Sequence, residues 1–297
     1  SQAEYYLGGN NMVSAGLSAE MLNSNLAYVD SSTLKDVRGW IVKAKVGYRY
    51  TLPYNLATDV GFQTVYSTFA EKVSVNPSLL INWEPSNIYS AYFSVVQSSP
   101  MIREISLSNT LSQPLFDILV PADLSLAPML KLNVSLGGEF MPVLGYTVKG
   151  EIFTDLLENP TLMDSSWQGD FSDQSKWQMI YDAGQVTGIN LSAEKRTPGI
   201  RSLASYRFTR AKLTDTFGDQ ELMPGHREHE FYLTLDGKFR ENMGYQMDLS
   251  LASGKRYFDG DQSWDWSSPY HRIDLSFYRE VSWELVSGRV SFKLINL

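Results

Sequence analysis

The chain has 297 residues, no cysteine and a formal net charge of −8, from 25 basic and 33 acidic side chains. This acidic balance argues against a protein that grips nucleic acid through a basic face, and no run of about eighteen apolar residues is present to form a membrane helix. A 13% aromatic share, with 17 Tyr and 7 Trp, suits a boundary between oil and water, and a membrane barrel built from half-apolar strands stays compatible with these totals.

The absence of Cys fits a bacterial envelope protein and a cytosolic one alike. Ser1-Gln2-Ala3-Glu4 carries neither a basic n-region nor an apolar h-region, so the expectation is a removed signal peptide or an internal piece. Residues 1–36 take no assignment. Leu17 to Val29 reads either as a kinked strand or as a helix turn and a loop.

From Arg38 the period is two, the mark of strands with one oily and one wet face. Trp40, Val42, Ala44, Val46, Tyr48 and Tyr50 alternate with Lys43, Lys45 and Arg49. The turn Thr51-Leu-Pro-Tyr-Asn55 then leads to Leu56, Val60, Phe62 and Tyr66. Leu79, Ile81 and Trp83 turn at Pro85-Ser-Asn87 into Tyr89, Ala91, Phe93 and Val95. A 33-residue connection, Gln97 to Met129, follows, long enough to imply function or small elements of its own. Leu130 to Phe140 and Tyr146 to Asp155 form the clearest hairpin, around Met141-Pro-Val-Leu-Gly145. A second connection of 30 residues, Leu157 to Val186, precedes Ile189 to Ala193, the turn Thr197-Pro-Gly-Ile200, and Ala204 to Phe208. Two further hairpins turn at Lys238 to Gly244 and at Glu280 to Leu285, after loops of 15 residues (Thr214 to Glu228) and 17 residues (Gly254 to Tyr270).

Twelve strands emerge. Short turns follow every odd strand, and loops of 11 to 33 residues follow every even one. A soluble sandwich has no reason to gather its long loops at one end, whereas an outer-membrane barrel does so. The fold expected is all-β: an antiparallel up-and-down transmembrane β-barrel. Its apolar face meets the lipid bilayer, polar residues line a wet interior, and Tyr48, Tyr50, Tyr66, Phe140, Tyr146, Tyr206 and Phe208 form aromatic girdles.

Five segments carry a resemblance: Gly184-Gln-Val-Thr-Gly188-Ile189, His226-Arg-Glu-His229-Glu-Phe231, Ser253-Gly-Lys-Arg-Tyr257, Pro269-Tyr-His-Arg-Ile-Asp274 and the final Asn296-Leu297. In this order and spacing they resemble the C-terminal part of the barrel of TonB-dependent outer-membrane receptors, a family with about 22 strands around an N-terminal plug. The resemblance implies a location in the bacterial outer membrane and import of a bulky, scarce nutrient, whether siderophore, cobalamin, glycan or peptide. It implies energy from TonB acting through a plug, in some members a surface lipoprotein partner, and no chemistry in the barrel itself. Residues 1–297 then form a single barrel region. No plug-like segment is found, and the last strand stops one short of closure, so the expectation is part of a receptor.

No Gly-x-Ser-x-Gly and no His-Glu-x-x-His occurs, so neither an enzyme, a cofactor nor a metal is expected. His226 and His229 read as strand-end residues before they read as ligands, since a metal site needs three or four groups. Asp259-Gly-Asp261-Gln-Ser263-Trp-Asp265 has the alternating oxygens of a calcium loop, but Tyr270 stands where the closing Glu belongs. The ligand-binding candidates are Trp167, Trp177, Trp264 and Trp266, four indoles in long loops, able to stack on a sugar or an aromatic chelate or else to pack the loops together. Lys43, Lys45, Arg49, Lys131, Lys149, Arg196, Arg207, Arg210, Arg272, Arg289 and Lys293 fall on or near polar faces, beside Glu139, Glu151, Glu194 and Asp274 as cross-strand partners. The alternative function is a plugless porin-type channel. A barrel enzyme and a soluble glycan-binding sandwich are the remaining readings.

Overall fold

The computed structural model describes residues 2–6, 11–26, 35–68, 71–100, 102–106, 117–121, 129–160, 181–215, 218–223, 226–259, 263–283 and 286–296. The strands in chain order are β1 (Gln2–Tyr6), β2 (Asn11–Leu26), β3 (Lys35–Leu52), β4 (Leu56–Ser67), β5 (Lys72–Ser86), β6 (Tyr89–Ser98), β7 (Ile102–Ser106), β8 (Asp117–Pro121), β9 (Leu130–Phe140) and β10 (Tyr146–Glu158). They continue as β11 (Tyr181–Thr197), β12 (Ile200–Asp215), β13 (Gln220–Leu222), β14 (His229–Arg240), β15 (Met243–Ala252), β16 (Arg256–Asp259), β17 (Ser263–Trp266), β18 (Tyr270–Trp283) and β19 (Val286–Leu294).

One antiparallel sheet runs β1-β2-β3-β4-β5-β6-β9-β10-β11-β12-β14-β15-β18-β19, with β13 added beside β12. Each strand therefore pairs with its neighbour in sequence. Among the described residues, only the hairpins β7–β8 and β16–β17 stand apart, inside long connections. Short turns gather at one end of the sheet: Pro53–Asn55 and residues 87–88, 141–145, 198–199 and 241–242. One of the two-residue turns is Pro198-Gly199, where Gly199 takes φ 82°, a left-handed value that favours glycine. The opposite end holds the connections 99–129, 159–180, 216–228 and 253–269.

Three sequence expectations change. The unassigned first 36 residues contain β1 and β2. Their alternation of Val13, Ala15, Leu17, Ala19 and Met21 with Ser14, Gly16, Ser18 and Glu20 is muted by small side chains. Among the described residues the sheet has fourteen strands along its path, the twelve read from the sequence with two more from the unassigned N-terminal part. The loop expected after Tyr66 shrinks to residues 68–71, because β5 begins at Lys72 and includes Pro77. Proline sits there without loss because β6 pairs with β5 only from Ser78 onward, which leaves the Pro77 edge free of ladder bonds. Side chains of the following segment take over, with Gln97 Nε2 donating to the Val75 carbonyl (3.3 Å) and Ser99 Oγ donating to Asn76 Oδ1 (2.8 Å).

The register aligns the oily positions strand by strand. Val46 faces Phe62, Val60 faces Leu79, Ile81 faces Phe93, and Phe93 faces Leu136. Leu136 faces Ile152, Ile152 faces Ile189, Ala204 faces Leu233, Leu233 faces Leu249, and Leu249 faces Ile273. This row is the exposed one: Val46, Phe62, Leu136, Ile152, Ile189, Phe277 and Phe292 are all open to the surroundings. The buried residues lie on the other face, and they include Asn76, Ser135, Asp155, Thr209 and Asp274. A single sheet with nothing stacked on it shields only the face it curls around, so the polar face is concave. Apolar outside and polar inside is a sheet built for lipid.

Aromatics bound the oily face at both ends. Trp40 and Tyr66 stand towards the long connections, and Tyr50, Trp83, Tyr89, Phe140 and Tyr146 towards the short turns, with Trp83 and Tyr89 edge to face at 6.0 Å. Trp40 to Tyr50 is ten strand residues, a rise of about 34 Å. At a tilt of about 40° this projects to about 26 Å along the membrane normal, close to the apolar band of outer-membrane barrels. Among the described residues, ionised residues in the oily register, such as Arg38, Glu158, Lys195, Arg210, Lys212 and Arg279, occur at or beyond these girdles. Arg210, grouped with the polar face on sequence, belongs here, since it pairs with Thr187 in the row of Ile189 and Leu191.

On the concave face, charges are answered across strands. Lys43 meets Glu20 (2.7 Å), Arg49 meets Asp59 (2.6 Å), Lys149 meets Glu139 (2.7 Å), and Lys131 meets Asp155 (2.9 Å). Two of the resembling motifs meet at Asp274, which accepts a fork from Arg272 (2.9 and 2.7 Å) and a bond from the Asn296 backbone N–H (3.0 Å). Asp274 is 6% exposed, whereas the Glu280–Arg289 pair is half open to solvent. Shielded, bidentate pairs outweigh exposed ones. We therefore expect Asp274→Asn to lower the thermal midpoint of the folded barrel more than Glu280→Gln does, as read by heat-modifiable gel migration. Equal midpoints would contradict this.

Candidate ligand-binding wall at the loop end

Where the concave face approaches the long connections, rings and guanidiniums gather. The arrangement starts at Gly188, second glycine of the Gly184-x-x-x-Gly188 segment. Its strand partner is Phe153, and a Cβ on Gly188 would lie 2.8 Å from the Phe153 ring and 2.6 Å from the Phe208 carbonyl oxygen. The bare backbone lets Phe153 lie across it. The Phe153 ring in turn carries the Arg207 guanidinium, 5.9 Å from its centroid.

On the other side, Arg227 is fastened by a hydrogen bond to the Ser253 carbonyl and stands over the Tyr270 ring at 5.5 Å. Ser253 also fixes the backbone before β14, its Oγ accepting from the N–H groups of Glu228 (3.1 Å) and His229 (3.2 Å). On the same concave face, the Tyr232 hydroxyl lies within electrostatic reach of Glu230, Arg207, Tyr270 and Arg227. Tyr232 is 44% exposed, while Tyr278 on the same face is buried. Arg227 pairs by a backbone bridge with Lys255. The Ser267 backbone N–H donates to the Lys255 carbonyl (2.9 Å), the Lys255 N–H donates to Ser267 Oγ (2.9 Å), and together they close the base of the β16–β17 hairpin. Partial burial, and then the Arg227 cation, pull the Lys255 ammonium below its ordinary value.

The four sequence-nominated tryptophans divide. Trp167 and Trp177 lie outside the described residues. Trp264 and Trp266 are both in β17, two positions apart, and pair with Phe258 and Arg256. Trp266, next to Ser267, is 50% exposed directly beyond the Lys255 base. Asp259 and Ser263 of the calcium-like run pair with each other at the hairpin end, and Asp265 accepts from the Trp266 backbone N–H (2.7 Å). Residues 260–262 are outside the described ones.

The histidines serve the strands. His226 Nε2 donates to the Thr209 carbonyl (2.9 Å). His229 Nδ1 bonds the Tyr206 hydroxyl (2.8 Å), and its ring lies against Phe208 at 5.1 Å. Tyr206, His229, Phe231, Leu251, Pro269 and His271 also frame a cleft of about 280 Å³. Five of these six belong to the oily register, so this cleft opens toward the lipid side. Sequence reasoning missed Tyr232, Arg227 and Lys255. The signal available for Tyr232 was an aromatic ring in the polar register of a strand.

No protein-family model matches the chain, and no curated protein sequence matches it. Solved structures do. The chain resembles the siderophore receptor PirA from Acinetobacter baumannii with a TM-score of 0.65 at 11% identity, covering 98% of this chain and 48% of that one. It resembles a mutant of the ferric enterobactin receptor PfeA from Pseudomonas aeruginosa at 0.67 and 12%, covering 99% and 47%. It resembles the FrpB iron transporter from Neisseria meningitidis at 0.64 and 11%, covering 99% and 49%. The chain thus spans about half the length of these proteins. Its fold is that of the β-barrel of TonB-dependent outer-membrane receptors.

Proposed function

We propose that this chain is barrel wall of a TonB-dependent receptor that sits in the bacterial outer membrane and imports a bulky, scarce nutrient. One observation carries the reading: a continuous meander with lipid-suited side chains outside, a polar concave face, and its long connections at one end, superposable on receptor barrels over nearly its whole length. The concave face would enclose the plug through which TonB acts. The loop-end wall, with Trp264 and Trp266 and with Trp167 and Trp177 from the connection at the same end, would meet the nutrient first. Iron chelates head the candidate nutrients, because the similar structures are named for siderophores and iron. A surface lipoprotein partner remains part of this proposal. The wall positions and releases its cargo without bond chemistry.

The test uses the full-length protein that contains this chain, folded in lipid vesicles. A receptor resists extraction without detergent, migrates differently on gels before and after heating, and gives electrically silent bilayers because its bore is filled. Steady open-channel current from the full-length protein would replace this reading with the porin-type one.

A further inference from the structure

The short-turn end carries tips that water does not explain. Turns that face water favour Gly, Pro, Asn, Asp and Ser. Here Tyr54, Ile88, Val143, Leu144, Ile200 and Phe239 stand exposed in or beside five successive turns, Leu144 at 99% and Tyr54 at 88%. Tyr54 does so at φ 66°, a left-handed value that costs a tyrosine more than a glycine. Backbone bonds stitch neighbouring turns into one rim. The Met141 N–H donates to the Ile88 carbonyl (2.6 Å), the Arg196 N–H to the Gly145 carbonyl (2.6 Å) and the Lys238 N–H to the Gly199 carbonyl (2.7 Å). Just inside this rim the oily register carries two cations, Arg279 and Lys195, the latter over the Tyr146 ring at 5.3 Å. Lys195 stands between Tyr146 and Ser202, and Arg279 between Met243 and Val290, so neither faces a carboxylate across its strands. The loop end differs, with Glu158 in that register as well as Arg210 and Lys212.

We propose that this rim is a docking surface for anionic phospholipid of the adjoining leaflet, its apolar tips sunk among the headgroups while Lys195 and Arg279 hold phosphate. The inference rests on the outer-membrane location and not on what is imported. Depth selects lipid over a protein partner. Leu144 lies two residues past Tyr146 of the girdle, which is at most about 5 Å along the membrane normal at a strand tilt of about 40°. The headgroup layer is about 5–8 Å thick. The tip therefore stays within that layer, out of reach of a protein in the water beyond. Removing apolar tips from water favours this depth. Charge then chooses among lipids, since cations at the surface attract a headgroup of net negative charge over a zwitterionic one.

Two measurements on the full-length protein test this. In the first, native mass spectrometry follows lipid retained as the detergent-solubilised protein is titrated with phosphatidylglycerol or with phosphatidylcholine. Phosphatidylglycerol should be held more tightly. Lys195→Gln with Arg279→Gln should weaken it by about fivefold per cation, the factor for one basic side chain near an anionic surface, and should flatten its salt dependence. Lys195→Arg with Arg279→Lys, which keeps both charges, should retain it. In the second, a nitroxide attached at Leu144→Cys reports depth in mixed phosphatidylcholine–phosphatidylglycerol vesicles. It should meet dissolved oxygen more readily than a water-soluble nickel chelate. Heat-modifiable migration checks that each variant is folded. Equal retention of the two lipids, or a folded Gln double variant within twofold of the parent, overturns the assignment. So does a nitroxide more open to nickel than to oxygen, the result expected if the tips await a protein. None of these outcomes touches the receptor reading, which open-channel current alone removes.

Discussion

Ile152→Arg, in the full-length protein folded into lipid vesicles, should cost about 2–4 kcal/mol, the range for an arginine at the bilayer midplane. Ile152 is 53% exposed and lies midway along β10, six residues from the Tyr146 girdle. On a water-soluble protein an exposed position of this kind tolerates such a change within about 0.5 kcal/mol. The two environments therefore predict opposite results at one residue. Ile200→Arg, at the short-turn rim beside Gly199, is the control and should cost about 0–1 kcal/mol. Urea titration followed by tryptophan fluorescence gives both values. A cost below about 0.5 kcal/mol at Ile152 would refute a lipid-facing surface there.

Gly188→Ala should cost about 1–3 kcal/mol although it adds a single methyl group, because the methyl meets both the Phe208 carbonyl and the Phe153 ring. Backbone cannot yield, so Phe153 must, and Arg207 loses the ring beneath it. Gly150→Ala, on the neighbouring strand, is the contrast: its added Cβ finds the Leu191 Cδ2 at 3.5 Å, an ordinary contact. It should be neutral or stabilising by up to about 1 kcal/mol, through the smaller entropy lost on folding. Urea midpoints of the two variants in vesicles check this. A Gly188 variant as stable as the Gly150 variant would mean that Phe153 and β12 relax freely.

The fold was legible because oily and wet residues largely alternate from Trp40 to Tyr50 and from Leu130 to Phe140, and because turns such as Met141 to Gly145 and Pro198-Gly199 punctuate the strands. It was illegible where side chains are small. Ala15, Gly16, Ser18 and Ala19 give β2 too little contrast for a period to appear, and the start of β5 around Pro77 lacks a ladder partner on β6. The site was less legible than the fold. Trp264 and Trp266 were nominated by residue type, whereas Arg227 and Lys255 become neighbours only through a bridge between two connections, 28 positions apart in the chain. Arg207 was recognised as polar-facing. That Phe153 supports it follows from strand pairing, which alternation along one strand does not encode.

The ties across the concave face restrict how the sheet can assemble. A slip of one position between strands would turn every oily side chain inward and is forbidden by lipid alone. A slip of two positions preserves which side is wet, so burial cannot reject it. Charge and ring shape can. Moving β10 by two positions along β9 would set Glu151 against Glu139 in place of Lys149, and moving β6 likewise would take the Tyr92 ring off Gly137, where no Cβ obstructs it. The ionised pairs and ring-on-glycine contacts thus act as proofreading marks, distinguishing the true alignment from the nearest wrong one that water and oil would accept.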